Sequence, residues 1–277
     1  MDVIENWGAS RISHGPDSSR IYLMDLDPAD FPQILPALED IAEKGRYTKL
    51  FAKVPARYGP AFQNRGYVIE AAVPGFYKGE EDALFLMKYT DPERSRPESE
   101  QLEAFQALLL EGTDYRHIEM DAAYRLRPLG EADAEAMVPV FKQVFETYPF
   151  PIYDPAFLIQ SMREDGTRYF GAFKDGELIA ISSAECNDTK LNAEMTDFAV
   201  LPTHRGQRLA VHLLRFMEEQ LRADGFLTFY TIARLHSLPM NKTFYNLGYR
   251  FAGTLTRNTQ IAGKIESMNV WYKHARP

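Results

Sequence analysis

The second half of the chain carries a hydrophobic pattern regular enough to divide into elements. Tyr124 to Pro128 alternates apolar and polar positions as a strand does. Glu131 to Thr147 places Met137, Val138, Val140, Phe141, Val144 and Phe145 on one helical stripe, which Pro149 ends. Asp154 to Glu164 predicts a second short helix with Pro155 in its first turn. Thr167 to Phe173 and Leu178 to Cys186 flank Asp175-Gly176, a dipeptide that supplies the positive φ angles of a type I′ hairpin turn. Leu191 to Leu201 then predicts a strand stopped by Pro202, and Leu209 to Arg222 an amphipathic helix closed by Gly225. A β-rich run over Phe226 to Ala233, a short helix over Met240 to Leu247 and strands over Tyr249 to Leu255 and Ser267 to Lys273 complete the order βααβββαβαββ.

The first half repeats parts of this pattern. Phe31 to Ile41 with Gly45 echoes Leu209 to Leu221 with Gly225, and Lys49 to Val54 echoes the strand that follows that helix. Phe62 to Arg65 with Gly66-Tyr67 echoes Phe244 to Leu247 with Gly248-Tyr249, and Leu84 to Tyr89 echoes Met268 to Lys273. Between the halves, Thr90 to Glu100 is charged, contains Pro92 and Pro97 and has almost nothing to bury, so it predicts a linker. Gln101 to Leu110, apolar at Leu102, Phe105, Leu108 and Leu109 and ended by Gly112, predicts a bridging helix. The expected division is 1–90, a linker and helix over 91–123, and 124–277, in keeping with roughly 150 residues per domain.

Composition narrows the classes. With 45% hydrophobic residues the chain has enough apolar material for buried cores, and its formal charge of −8 argues against nucleic acid or an anionic membrane as partner. The acidic N-terminal residues Asp2 and Glu5 are unlike the basic, then apolar pattern of a signal peptide, and no stretch approaches about 18 unbroken apolar residues, so a cytoplasmic protein is expected. Cys186 is the single cysteine, which excludes an internal disulfide and a cysteine-rich zinc site and reads as a buried, inert thiol. The histidines (His14, His117, His204, His212, His236, His274) form no metal-binding spacing, and no metal cofactor is expected.

The junction Val200-Leu201-Pro202-Thr203-His204-Arg205-Gly206-Gln207-Arg208-Leu209-Ala210 takes a strand through a cationic turn into a helix. A helix N-terminus offers unpaired N–H groups and the positive end of its dipole, so this turn suits a phosphate or pyrophosphate. An ordinary basic loop is the alternative reading. Arg205-x-x-Arg208-x-Ala210 after a strand end resembles the pyrophosphate signature of the GNAT acetyltransferase superfamily, Gln/Arg-x-x-Gly-x-Gly/Ala. Arg208 departs from that pattern, where glycine is usual; arginine is tolerated there if its φ stays negative.

The resemblance implies a GNAT fold, α/β with a mixed sheet, in the second half, preceded by a smaller degenerate GNAT-like α/β domain. It implies acetyl-CoA as co-substrate, held by Phe198, Ala199, Val200, Arg205, Gly206, Gln207, Arg208, Leu209, Ala210 and Asn241. It also implies a splay between the strand ending at Val200 and its neighbour Phe226 to Ala233, and an acidic base six residues before Val200, at Glu194. Asp197 is the second candidate; strand alternation sets it on the opposite face from Glu194, Thr196, Phe198 and Val200 unless a bulge intervenes. Either carboxylate could equally grip a cationic substrate, or be a solvated strand residue. The family often places a tyrosine acid four residues before the glycine of Gly248-Tyr249; Phe244 holds that register and Tyr245 is one residue late.

The run Gly253-Thr254-Leu255, Asn258-Thr259, Ile261-Ala262-Gly263 and Glu266 to Lys273, with Gly75 to Ala83, resembles the β-lysine N-acetyltransferases over nearly the whole chain. That likeness implies acetylation of the ε-amine of β-lysine to give Nε-acetyl-β-lysine, a compatible solute in osmoadaptation. Another amine (a polyamine, lysine or a protein N-terminus), a longer acyl-CoA, or an acyl-CoA-binding module without turnover are the competing readings. The first half's counterpart of the phosphate turn is Asp27-Pro28-Ala29-Asp30, acidic where the other is basic, so that half is expected not to bind CoA but to shape the acceptor site or a homodimer interface.

Overall fold

The computed structural model describes residues 2–113, 119–146, 148 and 150–275. Its elements in chain order are β1 (Val3–Trp7), β2 (Ser10–Gly15), β3 (Arg20–Asp25), α1 (Ile34–Gly45), β4 (Lys49–Pro55), α2 (Gly59–Gln63), β5 (Val68–Tyr77), β6 (Glu81–Tyr89) and α3 (Ser99–Leu110). There follow β7 (Tyr124–Leu129), α4 (Ala134–Val144), α5 (Pro155–Glu164), β8 (Thr167–Lys174), β9 (Glu177–Asn187), β10 (Asn192–Val200), α6 (Leu209–Ala223), β11 (Thr228–Arg234), α7 (Leu238–Asn246), β12 (Arg250–Ile261) and β13 (Lys264–His274). From Tyr124 onward this is the order the sequence predicts. Thr147 and Pro149, where the first helix was expected to stop, and His117 lie outside the described residues.

Two compact units emerge. The first comprises Met1–Leu110, Arg234–Leu238 and Phe251–Val270; the second comprises Glu111–Ala233, Pro239–Arg250 and Trp271–Pro277. The grouping of Phe251–Val270 with the first unit differs from the expected boundary at 124, and the reason is chemical. Strand order in the first unit runs β1-β2-β3-β4-β6-β5 and continues to β12, where Gly253 pairs with Ala71. The approach is so close that a Cβ on Gly253 would sit 1.9 Å from the Glu70 carbonyl oxygen. Three buried cations then donate to consecutive carbonyls of β12: Lys49 Nζ to Thr256 (2.6 Å), Arg94 Nε to Arg257 (2.7 Å) and Arg20 Nη1 to Asn258 (2.7 Å). A buried charge is tolerated only when hydrogen-bonded, so each cation fixes this strand in place. Arg94 thereby corrects the linker reading of Thr90 to Glu100: it is buried and also donates to Thr48 and Ser18.

In the first unit β3 and β4 run parallel through the α1 crossover, and Ile12, Ile21, Leu23, Leu38, Leu50 and Phe62 form the core. The second unit is ordered β11-β10-β9-β8-β7, with β10 and β11 parallel through α6. Its core joins Met137 and Phe141 of α4 and Leu158 of α5 to Tyr169, Ile181 and Ala199 of the sheet. Each fully buried aliphatic or aromatic side chain contributes about 1.5–3 kcal/mol. Asp154 caps α5 by accepting from the Ala156 N–H at 2.9 Å, and Asp175 and Gly176 have φ of 50° and 86°, as the type I′ turn requires.

The units share one constellation. In the first, Lys88 Nζ lies 2.7 Å from Glu39 and over the ring of Tyr67, which meets Phe62 edge-on with centroids 5.1 Å apart. In the second, Lys273 Nζ lies 2.6 Å from Glu218 and over the ring of Tyr249, which meets Phe244 edge-on at 5.0 Å.

Candidate active site

The site begins where the β10–β11 ladder ends. Parallel pairing runs from Asn192↔Thr228 to Glu194↔Tyr230 and goes no further, although β10 continues to Val200 and β11 to Arg234. Beyond Glu194 the edge of β10 that faced β11 is therefore open, the expected splay. On its other side β10 pairs with β9, but the register slips between Thr196↔Ser183 and Ala199↔Ile181. That slip is a β-bulge, and Asp197 at φ 54° is its left-handed residue. Asp is among the few side chains that tolerate this backbone, because its short polar group can bond locally.

The bulge re-aims the strand. Phe198 and Val200 face a cleft of about 330 Å³, lined also by Val144, His204, Arg205, Gly206, Arg208, Leu209, Ala210, Pro239, Met240 and Thr243. Phe198 is held edge-on against Phe244, with centroids 5.8 Å apart. Along α7, Pro239, Met240 and Thr243 share one face by helical spacing. Those three and Val144 are the lining residues that sequence reading passed over; the stripe position of Val144 and the 239/240/243 spacing were the available signals.

The cationic turn is built as an anion cradle. Gly206 has φ 84° and Arg208 has φ 56°. The condition set for arginine here, a negative φ, is not met: the turn has the left-handed geometry that suits glycine, and arginine accepts it at a cost of about 1–2 kcal/mol. Arg208 is the N-cap of α6 and provides no side-chain cap, so the first-turn N–H groups are not covered by it. Arg205 and Arg208 are exposed, and among the described residues no carboxylate lies within ion-pair distance of either. By contrast, Arg127, Arg163, Arg168 and Arg234 all hold acidic partners. His204 is steadied by the Tyr124 hydroxyl, 3.4 Å from its Nδ1.

A larger depression, about 420 Å³, lies beside Glu218, Arg222 and Lys273. Lys273 there is bonded to Glu218 and to the Leu247 carbonyl (2.8 Å), and Glu218 and Glu219 place carboxylates among its cations, whereas no carboxylate is among the residues lining the β10–α6 cleft.

The carboxylates separate clearly. Glu194 is half-buried at the last rung of the parallel ladder, opposite Glu185 on β9. Asp197 is half-buried and fully engaged: it accepts from Ser183 Oγ at 2.6 Å, from Thr196 Oγ1 at 3.4 Å and from the Tyr148 hydroxyl. Burial raises its carboxyl above the usual carboxylate range, with the three hydroxyl donors opposing the rise. The Tyr148 phenol is pushed far up by burial first and by Asp197 second. The remaining expected residues are dispersed. Asn241 is wholly buried and accepts from Trp271 Nε1 at 2.9 Å, Tyr245 packs on the Trp271 ring at 5.7 Å, Ala199 is buried in the core and Gln207 is exposed; none of these lines the cleft. Cys186 is buried, which pushes its thiol up to about 12, the state of an inert cysteine.

Comparison with known proteins agrees with this geometry. Residues 134–249 match the acetyltransferase (GNAT) family. The chain is 34% identical over 258 residues to the β-lysine N(6)-acetyltransferase of Methanococcus maripaludis, covering 92% of this chain and 93% of that protein. It is 28% identical to the N-acetyltransferase YodP of Bacillus subtilis, over 95% of this chain and 94% of that one. Among solved structures, mutant forms of the spermidine/spermine N-acetyltransferase SpeG from Vibrio cholerae share the fold, with a TM-score of 0.50 and 16% identity over 56% of this chain and 95% of theirs. An open strand edge, a cradle whose arginines have no acidic partner among the described residues and near full-length kinship converge on one conclusion: the chain belongs to the GNAT acetyltransferase family and is an N-acetyltransferase related over almost its whole length to β-lysine N(6)-acetyltransferase.

Proposed function

We propose that this protein transfers the acetyl group of acetyl-CoA to the ε-amine of β-lysine, giving Nε-acetyl-β-lysine, a cytoplasmic compatible solute. The observation that carries the reading is the 34% identity to a β-lysine N(6)-acetyltransferase across 92% of the chain, joined to a cleft whose two arginines have no acidic partner among the described residues. The residues present suit acetyl-CoA. Arg205, Arg208 and the first-turn N–H groups of α6 would hold its pyrophosphate, since guanidinium and helix N-terminus both favour phosphate oxygens. The backbone of Phe198 and Val200, open past the end of the parallel ladder, would pair with the pantetheine.

Bound there, acetyl-CoA supplies an activated thioester. The protein's task is to deliver a neutral amine. An ε-ammonium has a reference pKa near 10.4, so at neutral pH about one molecule in a thousand is free amine. Glu194, at the mouth of the splay, accepts that proton through a water, and a backbone N–H beside the open strand steadies the tetrahedral oxyanion.

The test is thiol release from acetyl-CoA with purified protein across a panel of diamines and diamino acids. β-Lysine should give the highest kcat/KM. A polyamine, lysine or an N-terminal peptide in first place would move the acceptor, and CoA binding without thiol release for any amine would end the catalytic reading.

A further inference from the structure

Asp197 and Tyr148 form a pair that the reaction outlined above does not use. Asp197 stands in the bulge of β10, one residue before the cleft-lining Phe198, and Tyr148 stands between α4 and α5. Ser183 on β9 donates to one oxygen of Asp197 at 2.6 Å; the Tyr148 hydroxyl donates to the other. Both oxygens of the carboxylate are thus engaged by hydroxyl donors, which disfavours it as a proton acceptor through water and as a direct ligand for an ammonium group. What it does control is Tyr148. A phenol has one proton, and Tyr148 gives that proton to Asp197. Its oxygen is left with lone pairs only, so toward any third group it is an acceptor. Glu185 and Glu194, cross-strand neighbours on β9 and β10, both act on this phenol through their charge. The oxygen therefore sits in a field that draws N–H donors bearing positive charge.

We infer that Tyr148 is a specificity-determining residue that accepts a hydrogen bond from a protonated amine of the acceptor, and that Asp197 is a positioning residue acting through it, by fixing the phenol's proton and the bulge together. This rests on the reading that an amine is acetylated beside β10. A diamino acid keeps a second ammonium while the first is neutralised for attack, and the Tyr148 oxygen suits that second group. A monoamine has nothing to place there.

The test is steady-state kinetics of Tyr148→Phe and Asp197→Asn with β-lysine and a monoamine of equal length, together with calorimetry of β-lysine binding to the CoA-loaded protein. Phenylalanine keeps the ring and its packing on Phe145, so Tyr148→Phe holds the fold if Asp197→Asn does not. The expected result in Tyr148→Phe is a β-lysine KM raised roughly tenfold or more, the size of a lost hydrogen bond to a charged group. Its acetyl-CoA KM, its pH–rate profile and its monoamine kinetics should match wild type. Asp197→Asn should follow the same pattern, and β-lysine binding should weaken in both. An unchanged β-lysine KM in Tyr148→Phe overturns the inference. So does a loss of kcat in Asp197→Asn with the acidic limb of the pH profile abolished, which would make Asp197 the base. Wild-type protein that releases no thiol with any amine overturns the functional reading itself, and the inference with it.

Discussion

Arg208 follows Gly206 by two residues, and both have left-handed backbone, with φ of 56° and 84°. Only the first of the pair needs an explanation, because glycine adopts this geometry freely and arginine does not. Strain of this kind persists where a site gains from it. Arg208→Gly is expected to stabilise the fold by about 1 kcal/mol while weakening acetyl-CoA binding, through loss of a guanidinium contact worth about 1.5–3 kcal/mol. Arg205→Ala, which relieves no strain, should raise the acetyl-CoA KM about tenfold at unchanged melting temperature. Thermal melts and KM measurements on both variants check this; wild-type KM in both would remove the pyrophosphate from this turn.

Glu194→Gln keeps the side chain's shape and removes its charge and basicity. The expected result is a fall in kcat of about 10²–10⁴-fold, the usual worth of general-base assistance, with the acetyl-CoA KM nearly unchanged. Activity should partly return as pH rises and solvent deprotonates the amine. Near wild-type kcat in this variant would transfer the role to another group.

Lys49 is buried, and its amine is lowered from 10.5 to about 7, by desolvation first, with Glu70 opposing. The folded state therefore sheds this proton near pH 7 and the unfolded chain near 10.5, so between those values the unfolded state binds more protons and stability rises with pH. Below about 7 both states hold the proton and the full cost of burying an ammonium is present. Urea unfolding at about pH 7 and about pH 9.5 should show this rise in wild type and its loss in Lys49→Met; equal slopes in the two proteins would assign the effect elsewhere.

One CoA is expected per chain. In the first unit, the turn that corresponds to the arginine cradle is closed by its own carboxylates: Asp30 accepts from the N–H groups of Ala9 (2.9 Å) and Ser10 (2.7 Å), and Asp27 from that of Ala29 (2.8 Å). A phosphate would meet negative charge where the other turn offers positive. Titration calorimetry should give a stoichiometry near one, and a value near two would show that both units bind.

Periodicity made the second half legible. The element order from Tyr124, the Asp175-Gly176 turn and the strand-to-helix cradle follow from spacing, and the lining residues Phe198, Val200, Arg205 and Arg208 from the resemblance to the GNAT family. What stayed hidden depends on partners distant in sequence. The β12–β13 hairpin turns at Ala262-Gly263, φ 49° and 79°, and alanine in the first position disguises a turn that asparagine would announce. The strands β1, β2, β3 and β5 carry no regular alternation because their faces are covered unevenly, as the exposed Val68 and Ile69 beside the buried Ala71 show. Arg94 reads as a linker charge until Ser18, Thr48 and Arg257 are seen around it. The sequence offers the bulge at Asp197 only as a condition, since one extra residue in a strand leaves no trace in composition.

The clasp on β12 sets an order in time. Lys49, Arg94 and Arg20 reach their carbonyl acceptors only at Thr256, Arg257 and Asn258, more than 160 residues further along the chain. During synthesis the first 110 residues therefore emerge with Lys49, Arg94 and Arg20 short of the carbonyls that complete their bonding, and their unit stays incomplete until Thr256 to Asn258 have been made. A chain cut at residue 110 is expected to leave those three donors without their β12 acceptors and so to yield no free-standing first domain.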